Sequence, residues 1–277
     1  MKRTIFIMAF FAIACNATMA QEKFGQSQEK PERGSFATEI NFTPFENNGK
    51  MFSLENGYAL KFRYFLNEKN ALRFKIGFGM DSKKYNYEES DDDYTSATEM
   101  KAKWGNFSLD LGYERHFNIH KRISLYAGAQ LGIYKHFASA SAESNTNGTE
   151  QVYVDSYWGS GYYRQSPYTT NSLTEYSNMI PSRYEAYGVE ADEAYFGISA
   201  SIFTGLDFYV YKGLYIGTEL GLNIRSHKVC EREIKTSYKR TGHYADSSSD
   251  ETKYDDGIRT TSVKFKVEPA IRLGWTF

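Results

Sequence analysis

The sequence predicts an all-β fold: an eight-stranded antiparallel up-and-down transmembrane β-barrel with short periplasmic turns and long extracellular loops. Three observations predict it. Eight segments alternate apolar and polar residues with the period of two expected of a strand whose faces meet different surroundings. Each segment has at least the roughly 9–11 residues that a tilted strand needs to cross a hydrocarbon core. The connections between the segments alternate between short and long.

The composition suits β structure and excludes two other classes of protein. The 277 residues include 23 Tyr, 20 Phe and 22 Gly but only 5 Pro, a balance typical of strands. A formal net charge of −1 gives no electrostatic reason to expect a nucleic-acid partner. A mean hydropathy of −0.58 excludes a bundle of membrane-spanning helices.

The N-terminus has the parts of a secretory signal peptide. A basic start at Lys2 and Arg3 precedes an apolar stretch that is too short to span a bilayer, and Thr18 and Ala20 provide the small side chains of a cleavage site. The predicted domain organisation is a signal peptide at 1–20, a flexible periplasmic lead-in at 21–34 and the barrel at 35–277.

A second interpretation of the leader remains open, in which residues 12–15 form a lipoprotein box and Cys15 is lipidated. If Cys15 instead leaves with the signal peptide, Cys230 is the single thiol of the mature chain, so no intramolecular disulfide is expected.

The first four predicted strands each have one apolar and one polar face. In the first, Phe36 and Ile40 alternate with Glu39. The second and third carry basic residues between aliphatic and aromatic ones, and the fourth carries Asp110 and Glu114 in the equivalent positions. These strands are predicted at 35–45, 58–66, 71–80 and 104–117.

The last four predicted strands repeat this pattern with more glycine on the polar face. The fifth alternates Leu and Ala with Gly and Gln, and the seventh alternates Leu and Ile with Gly, Glu and Asn. The eighth ends the chain with "VEPAIRLGWTF". These strands are predicted at 123–137, 195–210, 214–224 and 267–277. The short connections are 67–70, 118–122 and 211–213, and the long ones are 46–57, 81–102, 138–194 and 227–257.

A soluble β-sandwich or a lipocalin-like barrel would place the apolar faces inside. Two features favour the membrane instead. The polar faces are rich in glycine, which suits the crowded interior of a narrow barrel. Aromatic side chains gather at both ends of the apolar faces, as with Tyr64 and Tyr113 on the turn side and Trp104 and Phe137 on the loop side, where amphipathic rings favour a membrane interface.

The terminal "AIRLGWTF", with alternating apolar residues up to Trp275 and Phe277, is similar to the C-terminal signal of outer-membrane barrels. With the leader and the eight strands, the chain resembles the small eight-stranded outer-membrane β-barrels of Gram-negative bacteria, of the OmpX, OmpW and OmpA-transmembrane-domain type. The resemblance implies location in the cell outer membrane after Sec-type signal cleavage. It also implies contact with outer-membrane lipid and lipopolysaccharide, and assembly by the barrel-assembly machinery. It implies little about activity.

The polar faces should meet in a lumen that side chains fill, because eight strands enclose little space. Eight basic and six acidic residues lie on the inward parity, and pairing is expected because isolated charges would be costly there. A structural ion-pair network is therefore predicted rather than a conductance path. Its predicted members are Glu39, Lys61, Arg63, Arg73, Lys75, Asp110, Glu114, Asp207, Glu219, Arg225, Lys264, Lys266, Glu268 and Arg272.

The large extracellular insertion at 138–194 is rich in Tyr, Ser, Gly and Asn, a composition suited to recognition. A self-packed cap over the barrel mouth is the alternative, and the two are compatible. The candidate partner-binding residues are Tyr153, Tyr157, Trp158, Tyr162, Tyr163, Tyr168 and Tyr176.

Two functions from different classes follow. The first is a surface binding or adhesion protein, or a structural protein, that acts through these loops. The second is an accessory subunit of a larger outer-membrane complex for secretion, barrel assembly or nutrient import. A lipid-modifying enzyme or a small pore is less favoured, because no catalytic motif is recognisable. The sequence predicts no enzyme activity, no cofactor and no metal site.

Overall fold

The computed structural model describes residues 30–42, 59–120, 122–159, 161–211 and 213–276. The predicted signal peptide, most of the lead-in, residues 43–58 and Phe277 lie outside these ranges. A 3₁₀ helix occupies Ser182–Tyr187. The strands are β1 Phe36–Phe42, β2 Ala59–Asn67, β3 Asn70–Ser90, β4 Tyr94–His120, β5 Ile123–Val154, β6 Tyr162–Ser177, β7 Met179–Ile180, β8 Asp192–Glu193, β9 Tyr195–Tyr211, β10 Leu214–Val229, β11 Arg232–Thr241, β12 Asp246–Tyr254 and β13 Arg259–Thr276.

Eight of these strands close into an antiparallel ring. Neighbours pair in the order β1, β2, β3, β4, β5, β9, β10 and β13, and β13 pairs back onto β1. The predicted all-β antiparallel fold is confirmed at this level, and each ring strand overlaps one of the eight predicted segments. Among the described residues, no helix has the length and apolarity to cross a membrane.

The ring carries apolar residues on its outer face and charged residues on its inner face, which is the reverse of the arrangement in a water-soluble barrel. Leu131 and Leu220 lie on the outer face with 70% and 52% of their surface exposed. Arg63, Glu114 and Asp207 point inward and are completely buried. Because side chains alternate along each strand, one register around the ring places the apolar residues outside and the charged residues inside.

β5 changes partners along its length. From Ile123 to His136 it pairs with β9 in the ring, and from Ser139 to Val154 it pairs with β6. On its other edge, β5 pairs with β4 through most of this length. At this fork the same sheet branches away from the ring, and this branch has the strand order β3, β4, β5, β6, β11 and β12.

Residues 178–194 cover part of this extension and carry β7, β8 and the 3₁₀ helix. Alanines on β4 and β5 leave room for larger side chains of the covering segment, which is why the layers pack closely. The buried cluster consists of Ala102, Ala138, Ala140, Tyr176, Ile180, Tyr184 and Val189.

The structure differs here from the loops expected at 81–102, 138–194 and 227–257. β3 and β4 continue to a short turn at residues 91–93, β5 and β6 form a long hairpin, and β11 and β12 form another. The β11–β12 hairpin pairs sideways with β6 instead of only prolonging β10 and β13. Beyond the part that residues 178–194 cover, most residues of these extensions are exposed or half-buried on both faces, so the apolar alternation that marks a ring strand is absent from them.

Candidate functional site

Arg63 lies at the centre of the lumen and joins three other strands. Its guanidinium contacts Glu39 at 2.9 Å, Glu114 at 2.8 Å and Asp207 at 2.6 Å. These carboxylates come from β1, β4 and β9, so a single cation links opposite walls of the ring. The planar guanidinium of Arg has several donors, so it can contact several carboxylates at once better than the ammonium of Lys can.

Arg73 and Lys61 extend this network toward Glu219. Arg73 Nη1 and Nη2 donate to the two oxygens of Glu219 at 2.8 and 2.9 Å, and Nη1 also lies 3.1 Å from Glu114. Lys61 Nζ lies 2.7 Å from Glu39 and 3.3 Å from Glu219. The seven charged groups therefore share partners in one connected cluster. Such a cluster offsets the cost of burying its charges only while every partner is present.

Aromatic residues complete the cluster, and sequence reasoning did not select them. The hydroxyls of Tyr126 and Tyr215 donate to Glu219 and Glu39 at 2.9 and 2.7 Å. The Arg63 guanidinium lies 4.5 Å from the centre of the Tyr126 ring, and that of Arg73 lies 4.1 Å from the Phe203 ring. A signal was available, because Tyr126 falls on the polar parity of its strand.

Polar residues lie above the cluster, toward the extension. Ser199 donates to Asp110 at 3.1 Å, and Arg225 lies 5.5 Å from the centre of the Tyr134 ring. Asp110, Arg225 and Lys75 line a space of about 30 Å³, which is room for about one water molecule. The described side chains thus occupy the lumen at the level of Arg63 and leave only this small space directly above it.

Of the four remaining predicted lumen residues, only Lys264 has a described side chain, and it lies outside this cluster. Lys264 is exposed on β13 and has no carboxylate partner within the described part of the chain. Lys266, Glu268 and Arg272 stand at inward register positions opposite β10, but their side chains lie outside the described ones.

The candidate partner-binding residues divide into two groups. Tyr157 and Trp158 lie in the turn between β5 and β6, with 99% and 91% of their surface exposed, and their rings meet edge to face at 6.1 Å. Below them, Tyr153 and Tyr163 form a second edge-to-face pair at 5.5 Å, and both are exposed. These four residues, called the aromatic tip below, form the far end of the hairpin.

Two of the other candidates, Tyr168 and Tyr176, lie within the extension. Tyr168 packs beneath Arg240, whose guanidinium is 4.5 Å from the ring centre. Tyr176 is 7% exposed and packs edge to face on Tyr184. The side chain of Tyr162 is not among those described. The insertion is therefore a packed layer at its base and an exposed site at its tip.

The predicted assembly signal is described only in part. Trp275 is exposed on the outer face of β13 and pairs with Thr38 and Leu214. Phe277 lies outside the described residues. Within the described ranges, no three His, Cys, Asp or Glu side chains are grouped so that they could hold a metal ion.

Comparison with known proteins provides no family for this chain. No protein-family model matches it, and no curated protein matches its sequence. Among solved structures it is similar to the crystal structure of Acinetobacter baumannii CarO, with 12% sequence identity and a TM-score of 0.28. That match covers 91% of this chain and 99% of the other. An identity and a TM-score this low do not establish a shared family.

Proposed function

We propose that this chain is an outer-membrane β-barrel with a filled lumen, of the small eight-stranded type, which binds at the cell surface through the aromatic tip. The inverted faces of the ring support the membrane location. Leu131 and Leu220 would meet water in a soluble protein, whereas in a bilayer they meet acyl chains. The ring has no free strand edge, as a membrane-spanning sheet requires.

The aromatic tip carries the binding part of the proposal. Tyr157 and Trp158 expose almost all of their surface at the end of a hairpin that continues for 16 residues beyond the fork. At about 3.3 Å per residue, this length holds the tip on the order of 50 Å from the fork. Rigid amphipathic rings provide contact area at a low entropic cost. Their position favours contact with another surface over packing within the chain.

Adhesion of cells that produce the full-length protein tests this function. Cells with the wild type, with Tyr157→Ser/Trp158→Ser or with Tyr244→Ser would be compared on surfaces coated with mucin, with fibronectin or with cells of the same strain. Tyr244 is a matched control, because it is also an exposed extracellular aromatic but lies on another hairpin. Adhesion lost only in the tip variant would support the proposal. Equal adhesion of all three would argue against it.

A second candidate function, an accessory subunit of a larger outer-membrane complex, is favoured by the edge of the extension. β12 is the terminal strand of the sheet and pairs only with β11 among the described strands. A neighbouring protein could add a strand there. Extraction in mild detergent followed by a native gel distinguishes the two functions. A heavier, multi-protein species would favour a subunit, and a species of one 31.8 kDa chain or less would favour a stand-alone protein.

The proposal assigns no catalysis. It includes signal-peptide cleavage and insertion by the barrel-assembly machinery as predictions from the leader and from the C-terminal pattern. Sequencing the N-terminus of protein purified from membranes would test the cleavage site. It would also reveal a blocked, lipidated end if the alternative role of Cys15 were correct.

A further inference from the structure

Three cations on the outer face of the ring lie in one row across neighbouring strands. Lys135 on β5 pairs in register with Phe196 on β9, Phe196 pairs with Lys228 on β10, and Lys228 pairs with Arg259 on β13. All four side chains are exposed. With strands about 4.8 Å apart, the backbones of Lys135 and Lys228 are separated by about 10 Å, and that of Arg259 is about 5 Å further.

This row lies where the apolar outer face ends. On β5 the residues that precede Lys135 on the same face are Leu131 and Ile133, and on β10 those that precede Lys228 are Ile224 and Ser226. The row therefore coincides with the outer boundary of the apolar band, where lipid headgroups would lie if the ring spans the outer membrane.

The charges in the row are not balanced by the protein. Lys228 and Arg259 are directly opposed, an arrangement that destabilises a strand pair. Asp255 lies 3.3 Å from Lys228 and offsets one charge. Lys135 and Arg259 have no carboxylate within salt-bridge distance among the described residues. Two positive charges are thus left for an external anion.

A second opposed pair shows how this chain balances such charges elsewhere. Lys84 and Lys101 face each other across β3 and β4, and both contact the carboxylate of Glu99. Both lysines of that pair contact an anion of the protein, whereas Lys135 and Arg259 contact none among the described residues. The contrast favours an anion from outside the chain at Lys135 and Arg259.

An apolar groove lies directly below the row on the same outer face. Two register pairs each join a large and a small side chain, Leu131 with Ala200 and Ala129 with Ile202, and this leaves a depression. The groove measures about 680 Å³ and is bounded on the far side by Leu222. Leu131 stands four residues from Lys135, which is about 13 Å along the strand.

We propose that the row and the groove together bind one lipid of the outer leaflet that carries two phosphates and several acyl chains, which is the chemistry of the lipid A part of lipopolysaccharide. This inference rests on the proposed membrane location. The separation between Lys135 and the Lys228–Arg259 pair favours two phosphates over one, and the groove receives an acyl chain below them.

Lipid retention by the full-length protein in nanodiscs of neutral phosphatidylcholine tests the site. Native mass spectrometry would compare lipid A, monophosphoryl lipid A and phosphatidylglycerol as probes. We expect lipid A to bind most tightly, and Lys135→Ala/Arg259→Ala to weaken it about tenfold or more. Lys101→Ala is the matched control and should retain lipid A as the wild type does. Ala200→Trp, which fills the groove without changing charge, should weaken the binding of lipid A as well.

Each other outcome overturns the inference. Unchanged retention in the double variant would exclude the row, and unchanged retention in Ala200→Trp would exclude the groove. Equal retention of phosphatidylglycerol would exclude the two-phosphate specificity, and displacement by inorganic phosphate would show an anion site without lipid recognition. A wild type that enters nanodiscs but shows no preference would refute this inference alone, whereas a wild type that fails to enter them would refute the membrane proposal as well.

Discussion

His136 Nε2 lies 2.6 Å from a carboxylate oxygen of Asp192, and this contact closes the fork at which β5 leaves the ring. His136 is the last residue of β5 that pairs with β9, and its Nδ1 lies 2.8 Å from Asn106 on β4. Its ring also stacks on Tyr195. One side chain therefore connects β4, β5 and β9 to the segment that covers the extension.

We predict that Asp192→Ala loosens the covering segment without affecting the lumen. Loss of a hydrogen bond to a charged group should speed amide hydrogen exchange in 178–194 by about tenfold, while exchange around Arg63 stays unchanged. Glu185→Ala is the control, since Glu185 is an exposed carboxylate on the same segment. Hydrogen-exchange mass spectrometry that finds the two variants alike would refute a special role for this contact.

Arg63→Ala should strongly destabilise the ring. Three buried carboxylates would lose their shared cation, and breaking a buried ion pair on one side typically costs about 3–5 kcal/mol. The measurement is urea unfolding of the protein folded into lipid vesicles. Arg164→Ala, which removes an exposed arginine from β6, should change the free energy of unfolding by less than about 0.5 kcal/mol. A similarly small change for Arg63→Ala would show that the cluster contributes little to stability.

The wild type should show negligible single-channel conductance in planar bilayers. The cluster around Arg63 joins opposite walls, and the space above it holds about one water molecule. A hydrated ion therefore has no continuous path through the described part of the lumen. A stable, large open state of the wild type would contradict this structure of the lumen.

Much of the ring could be predicted from the sequence because its two faces meet different surroundings. Alternation identified the eight segments and the parity of Glu39, Lys61, Arg63 and the other lumen residues. It could not show which cation meets which carboxylate. Arg63 on β2 contacts Glu114 on β4 and Asp207 on β9 across the lumen, and such contacts depend on the stagger with which the ring closes.

The extension and the row of cations on the outer face were beyond sequence reasoning for another physical reason. Between Ser139 and Glu150 the side chains are small or polar on both faces, so no periodicity marks the strand. The strand exists because β4 and β6 complete its hydrogen bonds on both sides. The row of Lys135, Lys228 and Arg259 combines three strands that are far apart in the chain, and only the register aligns them.

The stability that the Lys84–Glu99–Lys101 cluster contributes should fall as the pH is lowered. Its two lysines lower the pKa of Glu99 below the ordinary value of 4.5. A carboxyl whose pKa is lowered by folding contributes stability at pH values above its ordinary pKa. This contribution is lost as the pH falls through the pKa of the folded state. We expect NMR titration to find Glu99 ionised at pH values where an unfolded Glu is already half protonated. An unshifted titration would contradict the contacts.

Glu99→Gln provides a second test of this cluster at neutral pH. Without the carboxylate, Lys84 and Lys101 repel each other across the strand pair. Hydrogen exchange should therefore quicken locally in the β3–β4 extension and show less dependence on acid than in the wild type. Glu89→Gln, on the same pair of strands but outside this cluster, is the control.

Tyr184→Phe should not destabilise the extension, although Tyr184 is buried in its core. The ring packs on Tyr176 and in the cluster with Ile180, but the hydroxyl has no hydrogen-bond partner within the described residues. Removing a buried hydroxyl that lacks a partner removes its desolvation cost. Tyr184→Ala, which removes the ring as well, should cost roughly 3–5 kcal/mol of local stability. Hydrogen exchange in β7 and β5 measures both effects.

Alkaline pH adds a check on the same residue. Burial raises the pKa of Tyr184 above the ordinary 10.0, so the folded state keeps the phenol protonated where the unfolded chain ionises. The stability that the protonated Tyr184 phenol contributes is complete below pH 10.0, and it declines as the pH rises through the pKa of the folded state. Tyr184→Phe should lack that part of the decline, so the difference between the variant and the wild type should widen with rising pH. A constant difference would show that the hydroxyl reaches water.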